Sequence, residues 1–235
     1  MPAFRECAGF FIYDTIIIMK KEKIKRVQIF IDGGNFYHLV LKKLGIKEYD
    51  FLFNDFIEFL ANGREIVGKR YYKGTVREKE GDKESKEKMS EQTKLFNILK
   101  NDSWDLKTSK LRVRTEKIKI DDRVSNYKEL KEKGIHEIEL TKMREKGIDV
   151  KLATDLIVGA VDGKYDTAIL ISSDSDLIPA IDWIRKRKHK KIEYIGFSII
   201  NERNEEKSTR PSVAMIGGTD IQRVLIESDV RKFIK

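Results

Sequence analysis

Residues 27–45 read VQIFIDGGNFYHLVLKKLG. The first five are an apolar run rich in β-branched side chains, which predicts a buried strand. Asp32, Gly33, Gly34 and Asn35 then break the run as a tight turn. Phe36, Leu39, Val40 and Leu44 recur at helical spacing until Gly45 ends the pattern. Strand, turn and helix in this order form the opening half of a βαβ unit.

The same grammar continues downstream. A helix is predicted from the Asn54 cap to Gly63, and a strand over residues 69–76. Residues 77–94 are mostly charged and predict an exposed helix start or a mobile excursion. Leu95, Phe96, Ile98 and Leu99 then give a helix an apolar face. Strand pieces are expected at 111–113, 118–120 and 136–140, with a polar helix or loop over 127–134. Asp149 precedes an amphipathic helix that carries Leu152, Ala153, Leu156, Ala160 and Val161 and stops at Gly163. Residues 168–171 (AILI) form a continuous apolar run, as in a strand buried on both faces. The run breaks at 172–176 (SSDSD), and Leu177, Ile181 and Ile184 open another helix. Residues 192–197 read as the next strand, 201–212 as a loop, 221–226 as a helix and 230–234 as a closing strand. Strands alternating with helices imply an α/β fold with a parallel sheet and right-handed crossovers.

The 235 residues suit one domain with insertions. Hydrophobic residues make up 40%, enough for a core, and charged residues 37%. The net charge of +9 and pI of about 9.3 favour a polyanionic partner. Cys7 is the only cysteine, so neither an intrachain disulfide nor a cysteine zinc site is possible, and a reducing, cytoplasmic compartment fits. The longest apolar stretch, residues 8–19, contains Asp14 and is too short to span a bilayer, so no membrane association is expected. Residues 1–18 are assigned no function.

Sites in an open parallel sheet form beyond the carboxyl ends of its strands. Two acidic turns fall at such ends: Asp32 with Asn35, and Asp174 with Asp176. Asp149, at a helix start, can converge on both. Several carboxylates in one pocket repel each other and call for a shared proton or a divalent cation. Oxygen-only ligands select Mg²⁺ or Mn²⁺ over zinc. Such an ion polarises a phosphoryl oxygen and acidifies an attacking water. Asp149, Asp174 and Asp176 are also well placed as ordinary helix caps. Asp155 lies about 120° from Asp149 on the helical wheel, where a surface ion pair is the simpler role. Arg185–Lys188, the start of a seven-residue stretch RKRKHKK, offers phosphate contacts or a solvated helix end. Arg70 and Tyr72 offer charge and stacking to single-stranded nucleic acid. No Asp-x-Asp nucleophile pattern follows the first strand, and no Gly-Lys-Ser/Thr phosphate loop is present.

Three blocks together resemble the signatures of NYN domains, in the LabA-like branch of the PIN-like nuclease superfamily. They are IFIDGGNFY (29–37), KGIDVKLATD (146–155) and AILISSDSDLIPAI (168–181). The resemblance implies a three-layer α/β/α sandwich with a mainly parallel five-stranded sheet. It implies one domain over residues 23–235 after an extension at 1–22, with charged insertions near 77–94 and 121–138. It further implies metal-dependent cleavage of RNA, with Mg²⁺ or Mn²⁺ held by Asp32, Asp149 and Asp174. Asn35, Ser173 and Asp176 would support these acids, and Asp155 would be a secondary acid. Where the family usually has glycine before the third acid, this chain has Ser173. The expected partner is RNA; the oligomeric state is left open, with a homodimer as one option. The rival is a non-catalytic RNA-binding module of the same fold.

Overall fold

In the computed structural model, strand β1 (Arg26–Asp32) lies at the middle of a six-stranded parallel sheet. The structure describes residues 24–75, 81–110, 112–144, 147–201 and 204–235. The expected extension at 1–22, and residues 77–80 of the charged stretch, fall outside them.

β1 leads through a short helix α1 (Gly33–Phe36) into a π-helical turn over Tyr37–Leu41. Helix α2 (Phe53–Ala61) returns the chain to β2 (Glu65–Thr75). The long helix α3 (Lys83–Asn101) then feeds β3 (Asp105–Lys110). A separate antiparallel ribbon follows, made of β4 (Arg112–Lys119) and β5 (Glu137–Arg144) with α4 (Tyr127–Glu132) between them. Helix α5 (Ile148–Val161) brings the chain back to β6 (Thr167–Ile171), beside β1. Helix α6 (Ile178–Lys188), β7 (Lys191–Ser198), α7 (Val213–Gly218), β8 (Ile221–Ile226) and α8 (Glu227–Arg231) complete the fold.

The spatial order is β3-β2-β1-β6-β7-β8. The chain winds outward from β1 and then returns to the other side of β1, so strand order reverses between β1 and β6. Successive side chains of a strand point to opposite faces, and both faces are covered. Ile29, Ile31, Ile169, Ile171, Ile195 and Phe197 enter one core with α2 and α3 residues. Phe30, Ala168, Leu170, Ile192 and Tyr194 enter a second core with α5 and α6 residues. This is the predicted three-layer α/β sandwich, with six strands rather than five.

The sheet edges differ from the sequence reading, and residues 105–110 form a strand that was not expected. Residues 221–226 form the sixth strand and 227–231 a helix, the reverse of the expected order. Ile221, Val224 and Leu225 fit helical spacing, but the segment pairs with β7 along its whole length as an edge strand. The polar stretch around 121–138 belongs to the ribbon, whose register sets Lys117 opposite Glu139 and Lys119 opposite Glu137. Lys117 also lies 3.5 Å from Glu137. No helix among the described residues is long and apolar enough to cross a membrane.

Candidate active site

Register pairs Ile31 with Ile171, so Asp32 and Ser172 stand level at the carboxyl edge of β1 and β6. This is the reversal point, where open α/β sheets place their ligands. Asp32 is 8% exposed. Its Oδ1 accepts from the backbone N–H of Asn35 at 2.9 Å, capping α1. Its Oδ2 accepts from the hydroxyl of Ser172 at 3.3 Å. The Ser172 hydroxyl also accepts from the N–H of Asp174 at 3.2 Å. Asn35 Oδ1 accepts from the N–H of Ser173 at 3.1 Å. The turns after the two strands are therefore stitched together by side chains of each.

Hydrophobic packing fixes these turns. Phe36, next to Asn35, is buried against Phe51, Phe56 and Phe197 with ring centroids 5.4–5.8 Å apart. Gly33 allows the close approach of buried Tyr71, since a Cβ there would lie 2.3 Å from the tyrosine ring. On the other turn, the hydroxyl of buried Tyr194 lies 3.2 Å from Ser173 Oγ and accepts from the N–H of Ser212. Asp174 caps a 3-10 turn over Ser175–Leu177, its Oδ1 accepting from the N–H of Asp176 at 2.9 Å. Asp149 lies in the first turn of α5, after Gly147 in the left-handed conformation.

Electrostatics ties the acids together. Burial pushes the Asp32 carboxyl above the usual carboxylate range, against the Asn35 hydrogen bond, and the charges of Asp149 and Asp174 add to the rise. Partial burial also raises Asp149, helped by Asp174 and Asp176. Among the described residues, none of these four acids is in an ion pair. Mutually repelling carboxylates with no cationic partner among the described residues offer oxygen donors, the chemistry that hard divalent ions prefer. Among the described residues, however, no three acid, imidazole or thiol side chains already form a metal-ligating group.

The remaining predicted residues lie elsewhere. Asp155 accepts from the Tyr72 hydroxyl at 2.8 Å and pairs with Arg70 at 3.2 Å. Arg70 also pairs with Asp105, which ties β2 to β3 and α5. Tyr72 is fully buried, so its ring has no face free for a base, and Arg70 is committed to two carboxylates. Arg185–Lys188 ends α6 at the opposite, amino edge of the sheet. Helix α6 has 11 residues and so spans about 16 Å. Arg185 is bound to Asp220 and to the Gly218 carbonyl, while Lys186 pairs with Asp182. Ser172 and Tyr194 were missed in the sequence; the signal for Ser172 was its place directly after the buried strand.

The chain matches the NYN domain model over residues 26–214. It is similar to a crystal structure of a protein of unknown function from Vibrio parahaemolyticus, with a TM-score of 0.51 and 19% identity. That likeness covers 88% of this chain and 96% of the other, and concerns the fold alone. A comparison with curated proteins gave no match. The chain belongs to the NYN domain family, a group of PIN-like, nuclease-type domains.

Proposed function

We propose that the chain is a metal-dependent ribonuclease of the LabA-like branch, hydrolysing phosphodiester bonds of cytoplasmic, single-stranded RNA. The observation that carries this reading is the set of acids at the reversal point, in no ion pair among the described residues, where Asp149 and Asp174 raise the proton affinity of Asp32, and Asp174 and Asp176 that of Asp149. Asp32, Asp149 and Asp174 would hold Mg²⁺ or Mn²⁺. When bound, the ion would supply charge to a phosphoryl oxygen and acidify water.

The chain's own residues do the rest. Asn35 and Ser172 orient the two oxygens of Asp32, and Ser173 is held by Asn35 and Tyr194. Asp176 is exposed beside Asp174, and its carboxylate is in no ion pair among the described residues. Asp155, Arg70 and Tyr72 act as positioning residues that brace α5 against β2. Lys186, Arg187 and Lys188 are assigned to distal phosphates of longer RNA. That no three acid, imidazole or thiol side chains form a metal-ligating group among the described residues favours one rival, a non-catalytic RNA-binding module. Incubation of labelled single-stranded RNA with the protein separates them. Cleavage in Mn²⁺ that stops in EDTA supports the nuclease; binding without cleavage in Mn²⁺ supports the module.

A further inference from the structure

A cavity of about 560 Å³ opens beside the acid turn. Gly34, two residues after Asp32, forms part of its wall, with Tyr37, His38 and Lys42 from the following turns. Lys73, at the carboxyl end of β2, closes one side and donates to the Gly33 carbonyl at 3.3 Å, so the cavity and the acid turn share a wall. The volume lies within the few hundred to 1,000 Å³ or so usual for small-ligand sites.

The lining is basic and aromatic. Lys42, Lys47, Lys73 and Lys88 face Glu48 and Glu91. Lys73 is neutralised by Glu48 at 2.5 Å and Lys47 by Glu91 at 2.9 Å. Among the described residues, Lys88 has one ion-pair partner, the exposed Glu84 on its own helix, a type of pair that holds its cation weakly. Lys42 is in no ion pair among the described residues. Two ammonium groups are thus left for an anion. The Tyr37 ring lies 4.7 Å under the Lys73 ammonium, and the Tyr49 ring lies within reach of Lys47 and Lys94. Ring faces and Ile46 give an apolar wall next to the cations. A nucleotide has this division, a flat apolar base and an anionic phosphate.

We propose that this cavity is a nucleotide subsite, which holds one nucleotide of a single-stranded RNA next to the phosphodiester presented to Asp32. The inference rests on the ribonuclease reading, because it takes the acid turn as the reacting end. Lys42 and Lys88 hold the phosphate, and the Tyr37 and Tyr49 wall receives the base. His38 reports occupancy: burial and the charges of Lys42 and Lys73 depress its pKa, against Glu48, and a bound phosphate would oppose those cations.

The test uses adenosine monophosphate and a short oligoadenylate, both in EDTA so that no cleavage is needed. With three histidines in the chain, the His38 resonance is readily assigned by substitution. Adenosine monophosphate should raise the His38 pKa. Lys42→Gln with Lys88→Gln should weaken both ligands about ten-fold or more, the size expected for lost charge-assisted contacts. An unmoved His38, or unchanged oligoadenylate affinity in the double variant, overturns the subsite. Mononucleotide binding that the oligonucleotide does not displace also overturns it, in favour of a free-nucleotide site. Cleavage in Mn²⁺ by the double variant with unchanged KM removes the subsite and leaves the ribonuclease reading standing. Weakened oligoadenylate binding by the double variant, with no cleavage by the native chain in Mn²⁺, keeps the subsite and removes that reading.

Discussion

Asp32 shows what its surroundings cost the fold. Its native pKa is raised above the ordinary 3.8 by burial first and neighbouring acids second. Between that ordinary value and the raised native one, the folded state binds more protons than the unfolded state. Stability therefore falls as pH rises through this window, and the loss is complete above it. Asp32→Asn removes the charge while its amide oxygen can still accept from Asn35 and Ser172. In EDTA the variant should melt at a higher temperature than the native chain at pH 7. The advantage should vanish below pH 3.8; a lower melting temperature at neutral pH would contradict the raised pKa. Gly33 carries a second residue-scale prediction. A methyl group there meets the Tyr71 ring inside van der Waals distance. Gly33→Ala should cost about 1–3 kcal/mol by overpacking, read by urea titration. An unchanged midpoint would mean that the ring moves aside freely. Asp32 and Asp174 were legible in sequence because they follow apolar runs, and Asp149 because it opens an amphipathic helix. The roles of Gly33 and Ser172 were not, since the Asp32–Ser172 bond joins positions 140 apart and appears only once β1 and β6 are neighbours.

At the scale of elements, the buried strands were legible and the edges were not. β1 and β6 announce themselves as apolar runs with water-excluded faces on both sides. β3 reads DLKTSK, with a single apolar residue, Leu106, because it is an edge strand. β8, the other edge, has exposed Val224 and Ile226 beside buried Leu225, which blurs the two-residue period. Helix α6 separates two groups of candidate residues along its length. Its start follows Asp174, and its end bears Lys186, Arg187 and Lys188 about 16 Å away. That exceeds the Debye length of about 8 Å at physiological salt. Replacing these three cations with glutamine should leave cleavage of a short oligonucleotide unchanged. Binding of long RNA should weaken and lose salt sensitivity, as fewer counterions are released. A fall in short-oligonucleotide cleavage would mean that the helix end acts on the reacting phosphate.

At the scale of the whole molecule, winding order makes the site. The sheet leaves β1 in one direction and comes back on its other side, so two acidic turns from distant parts of the chain meet at one edge. The ribbon of β4 and β5 leaves β3 and rejoins at α5, so its root lies at that same edge. The surplus of nine positive charges suits a polyanionic partner. The central claim is that Asp174 serves as a metal-holding acid as well as a cap. Asparagine at this position keeps an oxygen for the Asp176 N–H, and with it the cap. It loses the negative charge that a divalent ion requires. The decisive measurement is the rate of RNA cleavage by Asp174→Asn at saturating Mn²⁺, beside melts of both proteins in EDTA. The account predicts a loss of about a hundred-fold or more, on the scale of removing a key electrostatic group, with an unchanged melt. Undiminished cleavage would contradict it and leave Asp174 as a helix cap alone.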